Sequence, residues 1–398
     1  MGLSFAVLHE ATQPERRVAL TPDSVGKLVT GGHDIAVQAG AGDRAGFADA
    51  AYEAAGARIV PDAATALAGA DVLVCVSEPS LELVHMVPEH TTIIGALSPL
   101  SLREPDAAPG VLSPLLQALT ERRITSYELE LMPRTSRAQA MDILSSQATI
   151  AGYRAVLLGA LELDKLAPML MTAAGTVAPA RVLVLGAGVA GLQAIATARR
   201  LGAVVSAFDT RAAVREQVES LGASFVAIEQ DDAEDEGGYA RELTPEEQER
   251  QRELLAAEIA KSDLVITTAA VPGRPAPVLI TEPSLEAMRA GSVVVDLAGA
   301  TGGNCVIGTF GERVVHDGVT IIQPARAAAD HPFHASQLYA RNVLQFLPTL
   351  LDESGGALLD SPTDELALGT LLTKDGAVVH PRVRAHHELE ELTEGTSA

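Results

Sequence analysis

The stretch from Val182 to Gly191 reads VLVLGAGVAG, and it constrains the fold of this chain more than any other feature. The apolar run predicts a buried strand, the glycines predict a tight turn, and the following LQAIATARRLG predicts a helix. A second apolar run, VVSAF, ends at Asp209, which lies 18 positions after Gly191. Strand, turn, helix and second strand in this order predict a parallel βαβ unit of the Rossmann type.

The glycines of this turn have the Gly-x-Gly-x-x-Gly spacing that dinucleotide binding requires. Gly186 permits the tight turn, Gly188 lets the backbone approach a pyrophosphate, and Gly191 lets the helix pack closely on the strand. Free N–H groups at the positive end of the helix would then hold the phosphates. The candidate cofactor-binding residues of the turn are Gly186, Ala187, Gly188, Val189, Ala190 and Gly191. The alternative is a glycine-rich turn that binds no ligand.

The end of the second strand indicates which dinucleotide is bound. Asp209 can accept a hydrogen bond from a ribose 2′-hydroxyl and would repel a 2′-phosphate, which favours NAD(H) over NADP(H). Arg211 is of a type that can receive a 2′-phosphate, so NADP(H) stays open as the weaker alternative. We count Asp209, Thr210 and Arg211 among the cofactor-binding candidates. Thr268 and Ala269 join them, because they end another apolar strand and open parallel sheets bind ligands at strand ends.

Composition narrows the classes of function. The 29 basic and 52 acidic residues give a net charge of −23, which argues against nucleic acid or an anionic membrane as a direct partner. No run of 18 apolar residues predicts a membrane span. Cys75 and Cys305 are the only cysteines, and we expect both to be buried in a reducing compartment. The ten histidines show no metal-ligand spacing, so we predict no metal site.

Strand-like and helix-like segments alternate over the first 130 residues and again after the glycine-rich turn. We therefore predict an α/β protein with two Rossmann-like, doubly wound parallel-sheet domains, linked by a long helix over Ser136–Leu163. The predicted N-terminal domain combines 1–136 with 337–385. The predicted NAD(H)-binding domain covers 137–336, and 386–398 are predicted to form a flexible acidic tail.

Three segments have less regular patterns. AAYEAAGARIV reads as helix-like, and MLMTAAGTVAPARV suggests a hairpin or arm. Residues 229–258 hold 12 acids and 3 bases around Gly-Gly-Tyr, which is too charged to bury. This acidic segment is either a solvated insertion or a lid that closes on the nucleotide, with Tyr239 as its apolar contact.

Several motifs together resemble the alanine dehydrogenase and nicotinamide nucleotide transhydrogenase family. They cover nearly the whole chain and include ERRVALTP, MPRTSRAQAMDILSSQATIAGYRAV, GAGVAGLQAIATARRLGA, TTAAVPGRPAPVLIT, DLAGATGGN and TKDGAVVHP. One branch of this family makes pyruvate and ammonia from alanine. The other branch is the NAD(H)-binding component of a proton-translocating transhydrogenase.

The resemblance to the alanine dehydrogenase branch fails at residues that branch uses on its substrate. Ser77 stands at a lysine position, IIGALSPL lacks the general acid/base histidine, and Ala300 stands at an aspartate position. Arg16 or Arg17 could supply a cation for a carboxylate, but amino-acid oxidation also needs a proton acceptor. Hydride exchange between two nicotinamides needs only the two rings held together with water excluded.

For the transhydrogenase branch, the resemblance implies a catalytic cluster of Arg134, Gln139 and Asp142. It implies that Arg134 and Asp142 pair near the nicotinamide carboxamide, which Ser145 also contacts. Gln139 would reach toward the partner nucleotide, and Tyr239 would lie in the closing loop. The spacing of 139, 142 and 145 predicts that they share one flank of the linking helix. The alternative is an ordinary solvated helix face.

The resemblance thus implies an NAD(P) transhydrogenase subunit, an oxidoreductase that exchanges hydride between its NAD(H) and NADP(H) on a partner subunit. The implied partners are membrane-domain and NADP(H)-binding subunits, with a second copy of this chain as a homodimer. The implied location is the cytoplasm, peripheral to the inner or plasma membrane through those subunits. The alternatives are an NAD-dependent alanine or other amino-acid dehydrogenase and a non-catalytic NAD(H)-binding regulator.

Overall fold

The computed structural model of the protein describes residues 2–10, 15–101, 110–226, 245–270 and 273–389. The chain divides into two compact units, a first comprising Met1–Gln147 with Ala329–Ala398 and a second comprising Ala148–Ala328. The domain boundaries stated above stay a prediction about which parts fold autonomously.

The first unit begins as a regular alternation of strands and helices. In chain order these are β1 (Ser4–Val7), α1 (Pro22–Thr30), β2 (Asp34–Gln38), α2 (Asp49–Ala54), β3 (Arg58–Val60), α3 (Ala63–Leu67), β4 (Val72–Val74), α4 (Leu81–Met86), β5 (Thr92–Gly95), α5 (Pro114–Glu121) and β6 (Thr125–Glu128). Helix α6 (Ile143–Glu162) follows and contains the division between the units.

The second unit repeats this alternation around the glycine-rich turn. Its elements are β7 (Leu170–Thr172), β8 (Gly175–Val177), β9 (Arg181–Leu185), α7 (Val189–Arg200), β10 (Val204–Phe208), α8 (Arg215–Ser220), β11 (Ser224–Phe225), α9 (Pro245–Ala260), β12 (Leu264–Thr267), α10 (Glu282–Glu286), β13 (Val293–Asp296), β14 (Arg313–His316) and β15 (Val319–Ile322). The chain then completes the first unit with α11 (Pro332–Phe346), α12 (Glu365–Leu368), β16 (Leu371–Lys374), β17 (Ala377–Val378) and α13 (Pro381–His386).

The sheet of the first unit is doubly wound, with strand order β17-β16-β6-β5-β4-β1-β2-β3. Strands β1 to β6 pair in parallel, and β16 and β17 extend the sheet antiparallel. Side chains of β1 alternate between two cores, because Phe5 and Val7 pack in one cluster while Ala6 packs in another. Burial on both faces explains why its central strands are continuous apolar runs.

The sheet of the second unit has the order β11-β10-β9-β12-β13-β15-β14, and all its pairs are parallel except the β14–β15 edge. Val182 and Val184 of β9 pack in one core, and Leu183 and Leu185 pack in the other. The chain leaves β9 toward β10 and β11 and later crosses to β12 on the opposite side. The carboxyl ends of β9 and β12 therefore form the switch point where such sheets bind ligands. The predicted fold class is confirmed.

Two element predictions were wrong in part. Helix α2 ends at Ala54, Gly56 takes a positive φ of 97°, and Arg58–Val60 pair with β2 as a strand. The predicted long helix is α-helical only from Ile143, and Ser136–Met141 form a 3₁₀-helix before it.

Two further predictions concern an arm and the tail. The predicted hairpin is present as the antiparallel pair β7–β8. The flexible tail cannot begin at 386, because His387 is buried and its ring nitrogens lie 3.2 Å from the carbonyl oxygens of Pro99 and Val111. Residues 390–398 lie outside the described residues.

Candidate functional site

The turn between β9 and α7 has the geometry that its glycines predict. Gly186 takes a φ of 100°, a left-handed conformation that favours glycine. A Cβ at Gly191 would lie 1.8 Å from the Gly186 carbonyl oxygen, so only glycine allows this helix to pack so closely on the strand. Gly188 is the N-cap of α7 and makes no side-chain cap, which leaves N–H groups of the first helical turn open to a ligand.

Gly188 differs from its neighbours in having space around it. A Cβ built on Gly188 would meet no described atom within 4 Å. Local packing therefore does not require glycine at this position, unlike at Gly191. An anion that approaches the backbone would use this space, so the turn fits a dinucleotide pyrophosphate.

Asp209 lies at the end of β10 beside this turn and is tightly held. Its Oδ2 accepts the Ala187 N–H at 2.7 Å, and its Oδ1 accepts the Arg211 backbone N–H at 2.9 Å. The Arg211 guanidinium also pairs with it, Nε at 3.0 Å from Oδ1 and Nη2 at 3.1 Å from Oδ2. The structure thus brings together the turn, the acid and the arginine, with Thr210 half-buried between the last two.

Thr268 and Ala269 follow β12 on the other side of β9. The Thr268 hydroxyl donates to the Gly186 carbonyl oxygen at 3.1 Å, so the two strand ends are joined directly. Asn304 brackets Ala269, with its Oδ1 3.1 Å from the Ala269 nitrogen and its Nδ2 2.8 Å from the Ala269 oxygen. Our sequence reasoning did not select Asn304 or Asp296, although Asp296 ends the apolar run VVVD as Asp209 ends VVSAF.

The cluster in the first unit has a different local structure from the predicted one. Gln139 lies in the 3₁₀-helix, whereas Asp142 is extended and precedes α6. Asp142 accepts the Ser145 backbone N–H at 2.9 Å and the Ser145 hydroxyl at 2.6 Å, so it caps the helix. The prediction that 139, 142 and 145 share one helix flank was therefore wrong. Arg134 and Gln139 are exposed, and Asp142 and Ser145 are half-buried.

A second polar cluster lies beyond β1 in the first unit. Arg17 donates from Nε and Nη2 to the buried Glu15 carboxylate at 2.8 and 2.7 Å, and from Nη1 to Gln147 Oε1 at 2.7 Å. Burial alone would lower the pKa of Arg17, but the hydrogen bond and charge of Glu15 raise it above its usual range. Three nitrogens of the guanidinium are thus already engaged within the chain.

Glu10 and Ser77 form the neighbouring part of this cluster. Glu10 accepts the backbone N–H of Val76 at 2.7 Å and the Ser77 hydroxyl at 2.9 Å. Although part of the residue reaches solvent, burial of its carboxyl raises the pKa of Glu10 to about 7 against these hydrogen bonds, which lower it. Ser77, which stands at the lysine position of the dehydrogenase branch, is therefore bonded to an acid of the same chain.

Tyr239 and the acidic residues up to 244 lie outside the described residues, and Pro245 begins α9. Within the described ranges, no group of three or more His, Cys, Asp or Glu could hold a metal ion. The described helices include none that is both long and apolar enough to cross a membrane. Cys75 and Cys305 are free and buried.

Comparison with known proteins accounts for both units. Residues 6–151 match the model of the alanine dehydrogenase/PNT N-terminal domain, and residues 155–381 match that of the C-terminal domain. An NAD(P) transhydrogenase subunit alpha protein of Rhodospirillum rubrum is 48% identical over 391 residues, which cover 95% of this chain and 98% of that protein.

Solved structures give the same relationship. A transhydrogenase from Sinorhizobium meliloti superposes with a TM-score of 0.81 at 42% identity, covering 95% of this chain and 99% of that one. An L-alanine dehydrogenase superposes with a TM-score of 0.79 at 27% identity, covering 96% of this chain and 99% of that one. This chain therefore belongs to the alanine dehydrogenase/PNT family.

Proposed function

We propose that this chain is the NAD(H)-binding subunit of a proton-translocating NAD(P) transhydrogenase. It would exchange hydride reversibly between NAD(H) in its second unit and NADP(H) on a partner subunit. The observation that carries the proposal is the βαβ turn, open at Gly188 and flanked by Asp209, in a chain 48% identical to a transhydrogenase alpha subunit.

The residues of the turn fit a dinucleotide. The uncapped first turn of α7 offers N–H donors to the phosphates, and the space at Gly188 lets them approach. When bound, NAD(H) supplies a nicotinamide ring that carries the hydride. The chain itself contributes binding, orientation and exclusion of water, since direct hydride exchange requires no protein acid or base.

Asp209 supports NAD(H) as the resident nucleotide. Its carboxylate stands at the end of β10, where a ribose hydroxyl can donate to it and a 2′-phosphate is repelled. Arg211 offsets part of that repulsion, because it pairs with both carboxylate oxygens. We therefore expect a preference for NAD(H) that is smaller than an unpaired aspartate would produce.

The polar cluster of the first unit argues against an amino-acid dehydrogenase. Arg17 could clamp a substrate carboxylate only by giving up Glu15, which is buried and bonded to two of its nitrogens. Ser77 offers no cation, and its hydroxyl is bonded to Glu10. Steady reduction of NAD by the purified protein with alanine would contradict this assignment.

Gln139 tests the catalytic roles proposed for Arg134, Gln139 and Asp142. Because Gln139 is exposed and we assign it to the partner nucleotide, Gln139→Asn should slow hydride transfer at least fivefold and change NADH affinity less than twofold. Gln117→Asn is the matched control, since Gln117 is an exposed glutamine on α5. Loss of NADH binding in Gln139→Asn, or transfer at the wild-type rate, would refute the role.

A mixing assay separates the three candidate functions. The protein is combined with an NADP(H)-binding partner domain, and reduction of an NAD analogue by NADPH is followed beside an alanine control. Transfer that depends on the partner supports the transhydrogenase. Alanine-dependent reduction would support the dehydrogenase, and NADH binding without either reaction would support a regulator.

The hairpin β7–β8 supports the proposed homodimer. Its residues are exposed although several are apolar, and Met171 is 76% exposed. An exposed apolar arm is stabilised when it packs on another surface, and a second copy supplies one by symmetry. Light scattering of the purified chain should give twice the mass of one copy. Membrane-domain subunits would then hold this dimer at the cytoplasmic side of the membrane.

A further inference from the structure

A buried polar network underlies the end of β12. Asn304 is fully buried, and its amide nitrogen Nδ2 donates to the carbonyl oxygens of Ala269 and Pro277, both at 2.8 Å. Its Oδ1 accepts the Ala269 N–H at 3.1 Å. Both backbone polar groups of Ala269 are thus bonded to one side chain, which fixes the position of this residue.

Asp296 holds Asn304 in turn. Its carboxylate, also fully buried, accepts the Asn304 backbone N–H at 2.8 Å and the Cys305 N–H at 3.1 Å. It further accepts the Thr267 hydroxyl at 2.8 Å and Gln323 Nε2 at 2.9 Å. These donors satisfy the buried charge, so the network is rigid rather than a source of strain.

The network reaches the glycine-rich turn through one further residue. Thr268 lies between Thr267, which is bonded to Asp296, and Ala269, which is bonded to Asn304. Its hydroxyl donates to the Gly186 carbonyl oxygen at 3.1 Å, and a Cβ at Gly186 would lie 2.5 Å from that hydroxyl. The wall formed by Thr268 and Ala269 is therefore held on one side by the network and on the other by the turn.

We propose that Asn304, fixed by Asp296, is a positioning residue for this wall, and that the wall orients the nicotinamide half of the dinucleotide. This inference rests on the proposed NAD(H) site. Asp209, which ends β10, marks the adenosine half, because the 2′-hydroxyl that it recognises belongs to the adenosine ribose. Thr268 and Ala269 end β12 on the opposite side of β9, so they face the other half. Asn304 then acts through Ala269 without touching the ligand.

Half-specific nucleotide affinities test the proposal. Asn304→Asp keeps an acceptor for the Ala269 N–H but removes the donors to two carbonyl oxygens. NADH should bind about tenfold more weakly to this variant, whereas AMP, which lacks the nicotinamide half, should bind within about twofold of wild type. Thr268→Val, which removes only the hydroxyl bonded to Gly186, should produce the same pattern if Asn304→Asp does not fold.

Asp263→Asn is the matched control, because Asp263 is buried at the opposite end of β12 and accepts the Arg181 N–H at 2.8 Å. It should lower thermal stability and leave both affinities unchanged. Equal weakening of NADH and AMP in the Asn304 and Thr268 variants, or no change in either, would overturn the positioning role. Wild-type protein that binds AMP and NADH but transfers no hydride would sink the proposed function alone.

Discussion

Alanine at Gly188 and alanine at Gly191 should have opposite effects on this protein. Both glycines belong to the same turn and both changes add one methyl group. The structure leaves open space at Gly188, where a Cβ meets no described atom within 4 Å, but places a Cβ at Gly191 only 1.8 Å from the Gly186 carbonyl oxygen. We expect Gly191→Ala to damage the fold and Gly188→Ala to damage only nucleotide binding.

The magnitudes follow from these distances. Ordinary contact begins at 3.4 Å, so α7 would have to move by about 1.6 Å to accept Gly191→Ala. Overpacking of this kind costs roughly 1–3 kcal/mol, of which the helix propensity of alanine recovers about 1 kcal/mol. Gly188→Ala loses a favourable N-cap, about 1 kcal/mol, and regains a similar amount from the less flexible unfolded chain. Its stability should therefore be close to wild type.

The assay combines thermal unfolding with NADH titration, and the absence of Trp keeps protein fluorescence from obscuring the NADH signal. Gly188→Ala should keep the wild-type melting temperature and weaken NADH binding by roughly 10- to 100-fold, about 1.4–2.7 kcal/mol. Gly191→Ala should melt several degrees lower. Wild-type NADH affinity in Gly188→Ala would show that no phosphate uses the open space, and the fit to a dinucleotide would then be rejected.

Two other predictions concern Asp209 and Glu10. Asp209→Asn should reduce the ratio of NADPH to NADH dissociation constants by about tenfold, because the charge that repels a 2′-phosphate is removed while Arg211 stays; an unchanged ratio in parallel titrations would count against the assignment. The pKa of Glu10 rises from 4.5 to about 7 on folding, so the unfolded chain releases this proton first and the free energy of unfolding falls as pH rises through that window, by at most about 3 kcal/mol. Urea unfolding at pH 5 and pH 8 should show a flatter pH dependence in Glu10→Gln than in wild type, and parallel curves would exclude a raised pKa.

Local sequence patterns were sufficient for most of the fold. Apolar runs such as Val182–Leu185 predict buried strands because both faces of a parallel sheet are covered, and the glycines predict the turn because few other residues adopt its backbone. The pattern failed where two periodicities overlap. AAYEAAGARIV reads as one helix, but Gly56 ends the helix and Ile59 and Val60 complete the next strand.

The segment before α6 failed for a different reason. Its apolar spacing is compatible with a helix from Ser136, yet the α-helix begins only at Ile143. Asp142 caps that helix by accepting from Ser145, and an aspartate followed three residues later by serine is a weak signal among so many polar residues. A hydrogen bond of this kind competes with helix continuation and is decided only when the chain packs.

The sequence alone determined the glycine-rich turn, the acid after the second strand and the family, because each depends on residue types at short, regular spacings. Only the tertiary structure decided which polar groups are engaged. It paired Arg17 with Glu15, Arg211 with Asp209, and Asn304 with Ala269, which lie 2, 2 and 35 positions apart. Hydrogen bonds need partners at about 2.9 Å and a suitable angle, and those depend on packing that no local pattern specifies.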